Sequence, residues 1–596
     1  MYQIIKRIPR KDKFLLFLTI MVMLVSVMAD LMQPIFFGKI SQILATQGDI
    51  NKIWTSSVDN ITFSGWIGLM AGAAIVGIVF NIVAVYITTE VSVRTAFQIR
   101  NDLFNKVQYL SLQDIDKIST SSFITRITLD VFHVNELMVL LFTLLVKAPI
   151  YFLGGLVLSI TTVFQISQPE LNNLSYIYLV FLMLTFFTGI ILYKAFPVFE
   201  KIKKNYDNNN SIMSENLIGS RVVRAFNLEE NQITRYDSKN IALKRNLIKG
   251  DSLTAIFLPL FTIIMNLSVV FIISYSGFVS LDIPADRRPE VVGLVTSLIQ
   301  YFNILLVGFF LASFVLGTFA FTRVSGKRIN EVYAINDSIV DSKNPLPIKK
   351  TNISFKNVSF KYFKESSDWA IRDMSFDINE GETIGIIGQT GSGKSTIVNL
   401  LTRLYDVTEG QITIGDNDIK EVKIEDLREN ISVSLQEKIL FSGTVEENIR
   451  VGKPSATDKE VIKAAKISEA YEFINEKEDK FKYRIEERGK NLSGGQKQRI
   501  SIARSVVRKA KVLIFDDSTS ALDNITEKKL LNNLKKELKD TTLIIVAQRI
   551  NSVKEADKIL IINDGKLIGM GTHSYLIKNN KDYKEIYDSQ DTSKDK

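Results

Sequence analysis

Six apolar runs, each long enough to cross a bilayer as a helix, fill the first half of this 596-residue chain. A hydrocarbon core takes about 20 such residues, and the runs lie at roughly 14–37, 66–89, 140–165, 174–196, 253–277 and 292–321. One such run could be the buried helix of a soluble core; six in succession point to a membrane domain. Lys and Arg crowd residues 1–13, 94–128, 199–249 and 323–350, while the alternate loops near 38–65, 166–173 and 278–291 carry few. The positive-inside rule therefore places both termini in the cytoplasm. The basic start (Lys6, Arg7, Arg10, Lys11, Lys13) precedes a run too long for a signal-peptide core, so it reads as an uncleaved first span of an inner- or plasma-membrane protein.

Composition narrows the chemistry. The net charge of +9 flanks the apolar runs instead of forming one patch, which favours a lipid bilayer over nucleic acid as the partner. With no cysteine, disulfides, thiolate metal sites and cysteine nucleophiles are excluded, and two histidines, His133 and His573, cannot build a histidine metal cluster. The cysteine-free, Lys-, Asn- and Ile-rich composition fits a bacterial source.

The inner loops, about 90–139 and 197–252, are long and polar yet keep helical periodicity; Phe97, Ile99, Leu103, Val107 and Leu110 mark one apolar face. These are expected to be membrane helices continuing into the cytoplasm, each pair joined by a short turn helix. Charges inside the spans are expensive. Lys147, near the start of the third span, is placed to snorkel to the inner headgroups, at a depth too different from Asp30 for a direct pair. Asp30, next to Pro34, is either a cavity residue or a helix-packing partner. Asn81, Asn266, Gln300 and Asn303 are expected to join helices. The sixth-span aromatics Tyr301, Phe302, Phe309, Phe310 and Phe319 face lipid, neighbouring helices or a hydrophobic substrate cavity.

From Ile353 onward, strand patterns (Ile353–Phe360, Ile384–Ile387, Val512–Phe515, Leu543–Val546) alternate with helical ones, the pattern of an α/β domain with a largely parallel sheet. Between one strand and a helix lies Gly388-Gln389-Thr390-Gly391-Ser392-Gly393-Lys394-Ser395-Thr396. The glycines let backbone N–H groups turn toward a polyphosphate, Lys394 adds a point charge, and the Ser395 hydroxyl suits Mg²⁺. Val512–Asp516 is a buried strand ending in a carboxylate, placed to hold Mg²⁺. Asp517 follows it, where a general base reaches an attacking water. Leu492-Ser493-Gly494-Gly495-Gln496 opens a second helix and is another anion site by the same physics. Two phosphate-binding helix starts exceed what one nucleotide needs, so the second is expected to serve a nucleotide held by another chain. Gln436 lies in a loop, and Tyr362 follows an early strand where its ring can stack on a base.

With these motifs in place the chain resembles a half-transporter of the ABC exporter family (type IV) over nearly its whole length. The family's Walker A matches Gly388–Thr396, its Q-loop Gln436, its LSGGQ signature Leu492–Gln496, its Walker B Val512–Asp516, its D-loop Ser520–Asp523 and its aromatic A-loop position Tyr362. Ile124–Asp130 shares the exporter pattern in the first half. The resemblance implies a six-helix transmembrane domain with long cytoplasmic helical extensions (1–325), a linker (326–350), an α/β P-loop ABC nucleotide-binding domain (351–587) and a polar tail (588–596). It implies coupling helices near Leu112–Thr120 and Ser211–Arg221. It also implies ATP with Mg²⁺ held by Ser395, Gln436 and Asp516, and two halves sandwiching two ATP molecules, each between one half's Walker motifs and the other's Ser493–Gln496.

Two positions depart from the family pattern. Asp517 stands where active members usually carry Glu, one methylene longer, and a misplacement of about 1 Å can reduce a rate on the order of 10²-fold. Gln548, in Val546-Ala547-Gln548-Arg549, replaces the switch histidine and cannot carry positive charge or relay a proton. Both changes fall on one site while the signature stays intact. The chain is therefore identified with the degenerate subunit of bacterial heterodimeric multidrug exporters. It would move amphipathic or hydrophobic compounds out of the cytoplasm or inner leaflet, with a second half-transporter completing the competent site. The alternatives are a homodimer with two slow sites and an ATP-gated channel or regulatory membrane protein.

Overall fold

The computed structural model describes residues 8–46, 53, 56–165, 197–198, 201–202, 204–206, 208–363 and 366–590. They fall into two compact units, Met1–Asn105 with Ser121–Ala334 and Lys106–Thr120 with Ile335–Lys596. The expected span at 174–196 lies outside the described residues.

The first unit is helical. Its long elements are α1 (Arg10–Thr46), α2 (Phe63–Tyr109), α4 (Val131–Gln165), α5 (Glu229–Ala255), α6 (Phe257–Val279) and α7 (Arg288–Ala334). Between α2 and α4 lies the short α3 (Leu112–Ile118), which groups with the second unit. Among the described residues four helical stretches are long and apolar enough to span a bilayer: Arg10–Thr46, Phe63–Tyr109, Thr120–Phe164 and Arg288–Ala312; Met265–Val279 is a shorter apolar stretch. On α1 the buried positions Leu16, Thr19, Met23, Ser26, Val27, Leu31 and Pro34 recur at helical spacing, so one stripe packs inward while Phe14, Phe17 and Met28 stay exposed. Pro34 has no N–H to give the helix, and its own carbonyl accepts from Ser297 Oγ on α7 at 2.9 Å. Close by, α1 and α7 approach backbone to backbone. A Cβ on Gly38 would lie 2.6 Å from the Gly293 carbonyl, and one on Gly293 2.7 Å from that of Gly38. Only glycine permits this crossing.

The Ile124–Asp130 segment contains a π-turn, Arg126–Asp130, at the foot of α4. Buried Arg126 donates to the Arg328 carbonyl at 2.8 Å and pairs with Glu331 at 3.0 Å, tying this irregular turn to the end of α7. In the second excursion the helix breaks at Gly219, and a short helix Ser220–Ala225 follows.

The second unit is α/β. A six-stranded sheet runs in the order β9 (Lys566–Gly571), β8 (Lys558–Asn563), β3 (Thr383–Gly388), β7 (Thr542–Ala547), β6 (Val512–Asp516), β5 (Ile431–Ser434), parallel except for β9. β1 (Ile353–Phe360), β2 (Ile371–Ile378) and β4 (Glu409–Ile414) form a separate antiparallel sheet. β6 is buried along its length and alternates between two cores: Val512 and Ile514 enter one, Leu513 and Phe515 the other. Such a strand reads as a continuous apolar run because helices cover both faces. Its helices include α8 (Lys394–Leu401), α9 (Gly494–Val506), α10 (Asn524–Glu537), α11 (His573–Asn579) and α12 (Lys581–Gln590). α12 runs past the boundary expected at 587, because Tyr583 is fully buried and Ile586 and Tyr587 pack on the core; residues 591–596 lie outside the described residues.

Candidate nucleotide site

Strands β3, β7 and β6 run side by side and in register, with Ile386 opposite Val546 and Val546 opposite Asp516. Their C-terminal ends therefore bring three loops together at one edge, where open parallel sheets place ligands.

The first loop follows β3. Gly388 lies so close to the neighbouring strand that a Cβ there would sit 2.1 Å from the Ile562 carbonyl. Gly391 (φ 84°) and Gly393 (φ 102°) adopt left-handed backbone, and Gly393 caps α8. The Lys394 ammonium, 8% exposed, donates to the carbonyls of Gly388 (2.8 Å) and Gln389 (2.6 Å). Burial pushes its pKa down, opposed by Asp517 and Asp516. Inside the loop the buried Ser392 Oγ has no hydrogen-bond partner, a group that a phosphate oxygen would satisfy.

The second loop follows β6. Ser395 Oγ donates to Asp516 Oδ1 at 3.0 Å. Burial pushes the Asp516 carboxyl up, with the Ser395 bond and Lys394 opposing and Asp517 adding to the rise. Asp517 sits at φ 47°, a left-handed conformation that Asp tolerates. Burial also pushes its carboxyl up, against the pull of Lys394, Lys438 and Gln548.

The third loop follows β7 and carries Gln548, whose Nε2 donates to Asp517 Oδ2 at 3.1 Å. On the far side of the P-loop helix, the Tyr362 hydroxyl meets Thr396 Oγ1 at 3.1 Å, and its ring packs edge-on against Phe360 and Tyr405.

The remaining sequence-predicted residues are placed differently. Gln436 is exposed, and no hydrogen bond from its side chain occurs among the described residues. Ser493 and Gln496 form a reciprocal capping box at the start of α9 (Ser493 N to Gln496 Oε1 3.0 Å), with Gly494 in open space. Among the described residues no hydrogen bond joins Ser493, Gly494, Gly495 or Gln496 to the P-loop. Asp523 is engaged as the N-cap of α10, accepting from the N–H groups of Ile525 (3.1 Å) and Thr526 (2.9 Å).

Three residues escape sequence reading. Gln498, 1% exposed, donates to the Asp517 carbonyl (3.4 Å) and accepts from Ala521 N (3.1 Å), linking the signature helix to the Asp517 turn. Its only sequence signal is an amide on a helix face that is otherwise buried. Ser518 Oγ donates to the Ser434 carbonyl at 2.6 Å, fastening that turn to the end of β5. Gln590, at the end of α12, donates to the Gln548 carbonyl (2.8 Å) and accepts from Ile550 N (2.9 Å). Nothing in its polar surroundings marks it.

The donor set fits a magnesium–polyphosphate group: a hydroxyl and a carboxylate side by side, a buried ammonium, an unpaired buried hydroxyl and a helix start with left-handed glycines. Among the described residues no three His, Cys, Asp or Glu side chains cluster as a metal site.

A helical membrane domain followed by a P-loop α/β domain defines a nucleotide-driven membrane protein. Residues 371–520 match the family described as ABC transporter, and residues 16–307 the ABC transporter transmembrane region. The chain is 32% identical to the ABC transporter ATP-binding protein YfiB of Bacillus subtilis over 573 residues, 96% of each chain. It is 34% identical over 540 residues to the putative ABC transporter ATP-binding protein MG014 of Mycoplasma genitalium, covering 87% of this chain and 84% of the relative. Its fold matches the structure of a bacterial Atm1-family ABC exporter with ATP bound, with TM-score 0.80 and 22% identity, over 98% of this chain and 99% of that one. The chain belongs to the ABC transporter family and is a membrane-embedded transport ATPase with the exporter fold.

Proposed function

We propose that this chain is one half of an exporter for amphipathic or hydrophobic compounds, and that its own Walker site holds ATP but turns it over slowly. Both termini face the cytoplasm in this reading. The observation that carries it is the bond from Gln548 Nε2 to Asp517 Oδ2. The carboxylate in the base position is shorter than Glu, and it is held by an amide that has no charge to give a phosphate. The P-loop glycines, Lys394, Ser395 and Thr396 would cradle the phosphates, Tyr362 would stack on the base, and Ser395, Asp516 and Gln436 would hold Mg²⁺. When bound, that ion neutralises charge on the phosphates. Asp517 would orient water weakly and Gln548 would contact the outermost phosphate.

The separation of Ser493–Gln496 from this chain's own P-loop bonds supports a role on a nucleotide held by another half. A heterodimer, with the partner supplying Glu and His, explains why the degenerate positions cluster in one site while the signature stays whole. The test is to purify the chain alone and with a second half-transporter encoded beside it. Slow hydrolysis alone and substrate-stimulated hydrolysis together are expected. A stable homodimer with brisk, transport-coupled hydrolysis would overturn the heterodimer, and ion current without stoichiometric hydrolysis would overturn the pump.

A further inference from the structure

In the first unit a cavity of about 390 Å³ opens between α1, α2, α4 and α7, within the roughly 300–1,000 Å³ range of small-ligand pockets. Its wall mixes Asp30, Gln33, Gln300 and Asn303 with Phe37 and Tyr151. The Tyr151 hydroxyl donates to Asp30 Oδ2 at 2.5 Å, which fixes the carboxylate as an acceptor. No donor reaches Asp30 Oδ1 among the described residues, and it lies near the bare backbone of Gly77, where a Cβ would approach to 3.0 Å. Gln300 and Asn303, expected to join helices, line the cavity, and Asn303 Nδ2 donates to the Ile299 carbonyl of its own helix (3.1 Å). Lys147, one turn before the Asp30-bonded Tyr151 on α4, does not line the cavity. No ion pair within 4.0 Å joins it to Asp30 among the described residues.

An ionisable group in a span is expensive and usually has a task. Here a carboxylate lines a half-apolar cavity, is anchored by one oxygen to Tyr151, and shares the cavity wall with neutral amides. We infer that this cavity binds lipophilic organic cations, with Asp30 as the charge-reading residue, Tyr151 positioning it, and Lys147 weakening cation affinity from behind. The inference rests on the export reading for its purpose but not for its test. An amphipath enters with its apolar body against Phe37 and its positive centre toward the Asp30 carboxylate; the amides of Gln33, Gln300 and Asn303 solvate the charge without competing for it.

The test measures equilibrium binding of tetraphenylphosphonium to the purified full-length transporter without ATP, beside two probes of similar shape, neutral triphenylphosphine oxide and anionic tetraphenylborate. Tetraphenylphosphonium is expected to bind at least about tenfold more tightly than either, the scale of one partly screened charge pair. Asp30→Asn should remove that preference while leaving the neutral probe's affinity unchanged, and Lys147→Met should increase it several-fold. A merely structural role for Asp30 would not separate probes by charge, and Lys147→Met supplies the opposite shift should Asp30→Asn fail to fold. Equal binding of cation and anion, or cation affinity indifferent to both substitutions, overturns the inference. Absence of ATP-driven tetraphenylphosphonium uptake into inverted vesicles, with charge-selective binding intact, overturns the export reading and leaves the site standing.

Discussion

Gln548 Nε2 donates to Asp517 Oδ2 at 3.1 Å, joining the two positions at which the site departs from its family pattern. A neutral donor on a carboxylate holds it in place without changing its charge. The pair braces the ends of β6 and β7; in the function proposed above it would leave the site without a base free to orient water and a partner able to take charge.

The brace is itself held from behind. Gln590 grips both sides of the switch, at the Gln548 carbonyl and Ile550 N. Gln590→Ala should lower stability by about 1 kcal/mol, since its two bonds, one exposed and one part-buried, are worth roughly 0.5–1.5 kcal/mol each. Placed on the Asp517→Glu, Gln548→His background, it should remove most of any restored turnover. Thermal unfolding and steady-state ATPase assays on the same preparations separate the two effects.

The turn helix α3 is fastened by a buried carboxylate. Asp114, 2% exposed, accepts from Lys117 Nζ (2.9 Å), Ser111 Oγ (2.7 Å), and Ser338 N (3.1 Å) and Oγ (2.7 Å). Burial alone would raise its pKa; these donors outweigh burial and bring it from 3.8 to about 2. A depressed carboxyl contributes stability above its unfolded value and loses it as pH falls through the folded value. Asp114→Ala should therefore cost about 1–3 kcal/mol at neutral pH, with the gap to wild type closing between pH 4 and 2. Denaturant unfolding across that range checks the sign.

At Asp516 the sign is reversed. Burial raises the Asp516 carboxyl, so the fold opposes its ionisation, and stability falls as pH climbs through the raised value. In the absence of nucleotide, Asp516→Asn should raise the thermal midpoint at neutral pH, and the gain should vanish on acidification, when the wild-type side chain is protonated too. Mg-ATP should raise the wild-type midpoint and leave Asp516→Asn nearly unmoved. A variant less stable at neutral pH without nucleotide would contradict the sign.

What could be read in the sequence was local. Continuous apolar runs gave the membrane domain, and Val512–Asp516 read as a buried strand because both its faces are covered. The glycines of 388–393 read as a loop turning its N–H groups toward a polyphosphate, and Gly391 and Gly393 take the left-handed backbone that such a turn requires. Contacts between distant segments were illegible. Counting residues from the span ends separated Lys147 from Asp30 in depth, and no ion pair joins them among the described residues, but the Tyr151 hydroxyl that does reach Asp30 depends on helix tilt and offset, which packing sets. Lys106–Thr120 groups with the nucleotide domain, where Ser338 donates to Asp114, Tyr405 to Asp116 (3.3 Å) and Gln113 to the Tyr362 carbonyl (3.4 Å). Those are single polar contacts across hundreds of residues, and no periodicity encodes them.

If Asp517 and Gln548 make this Walker site slow, as proposed, single-turnover hydrolysis of ATP bound to it measures that directly. Asp517→Glu with Gln548→His should leave ATP affinity within a few-fold of wild type and raise the rate of the chemical step by about tenfold or more. An unchanged single-site rate, with both proteins folded and loaded with ATP, would contradict the account.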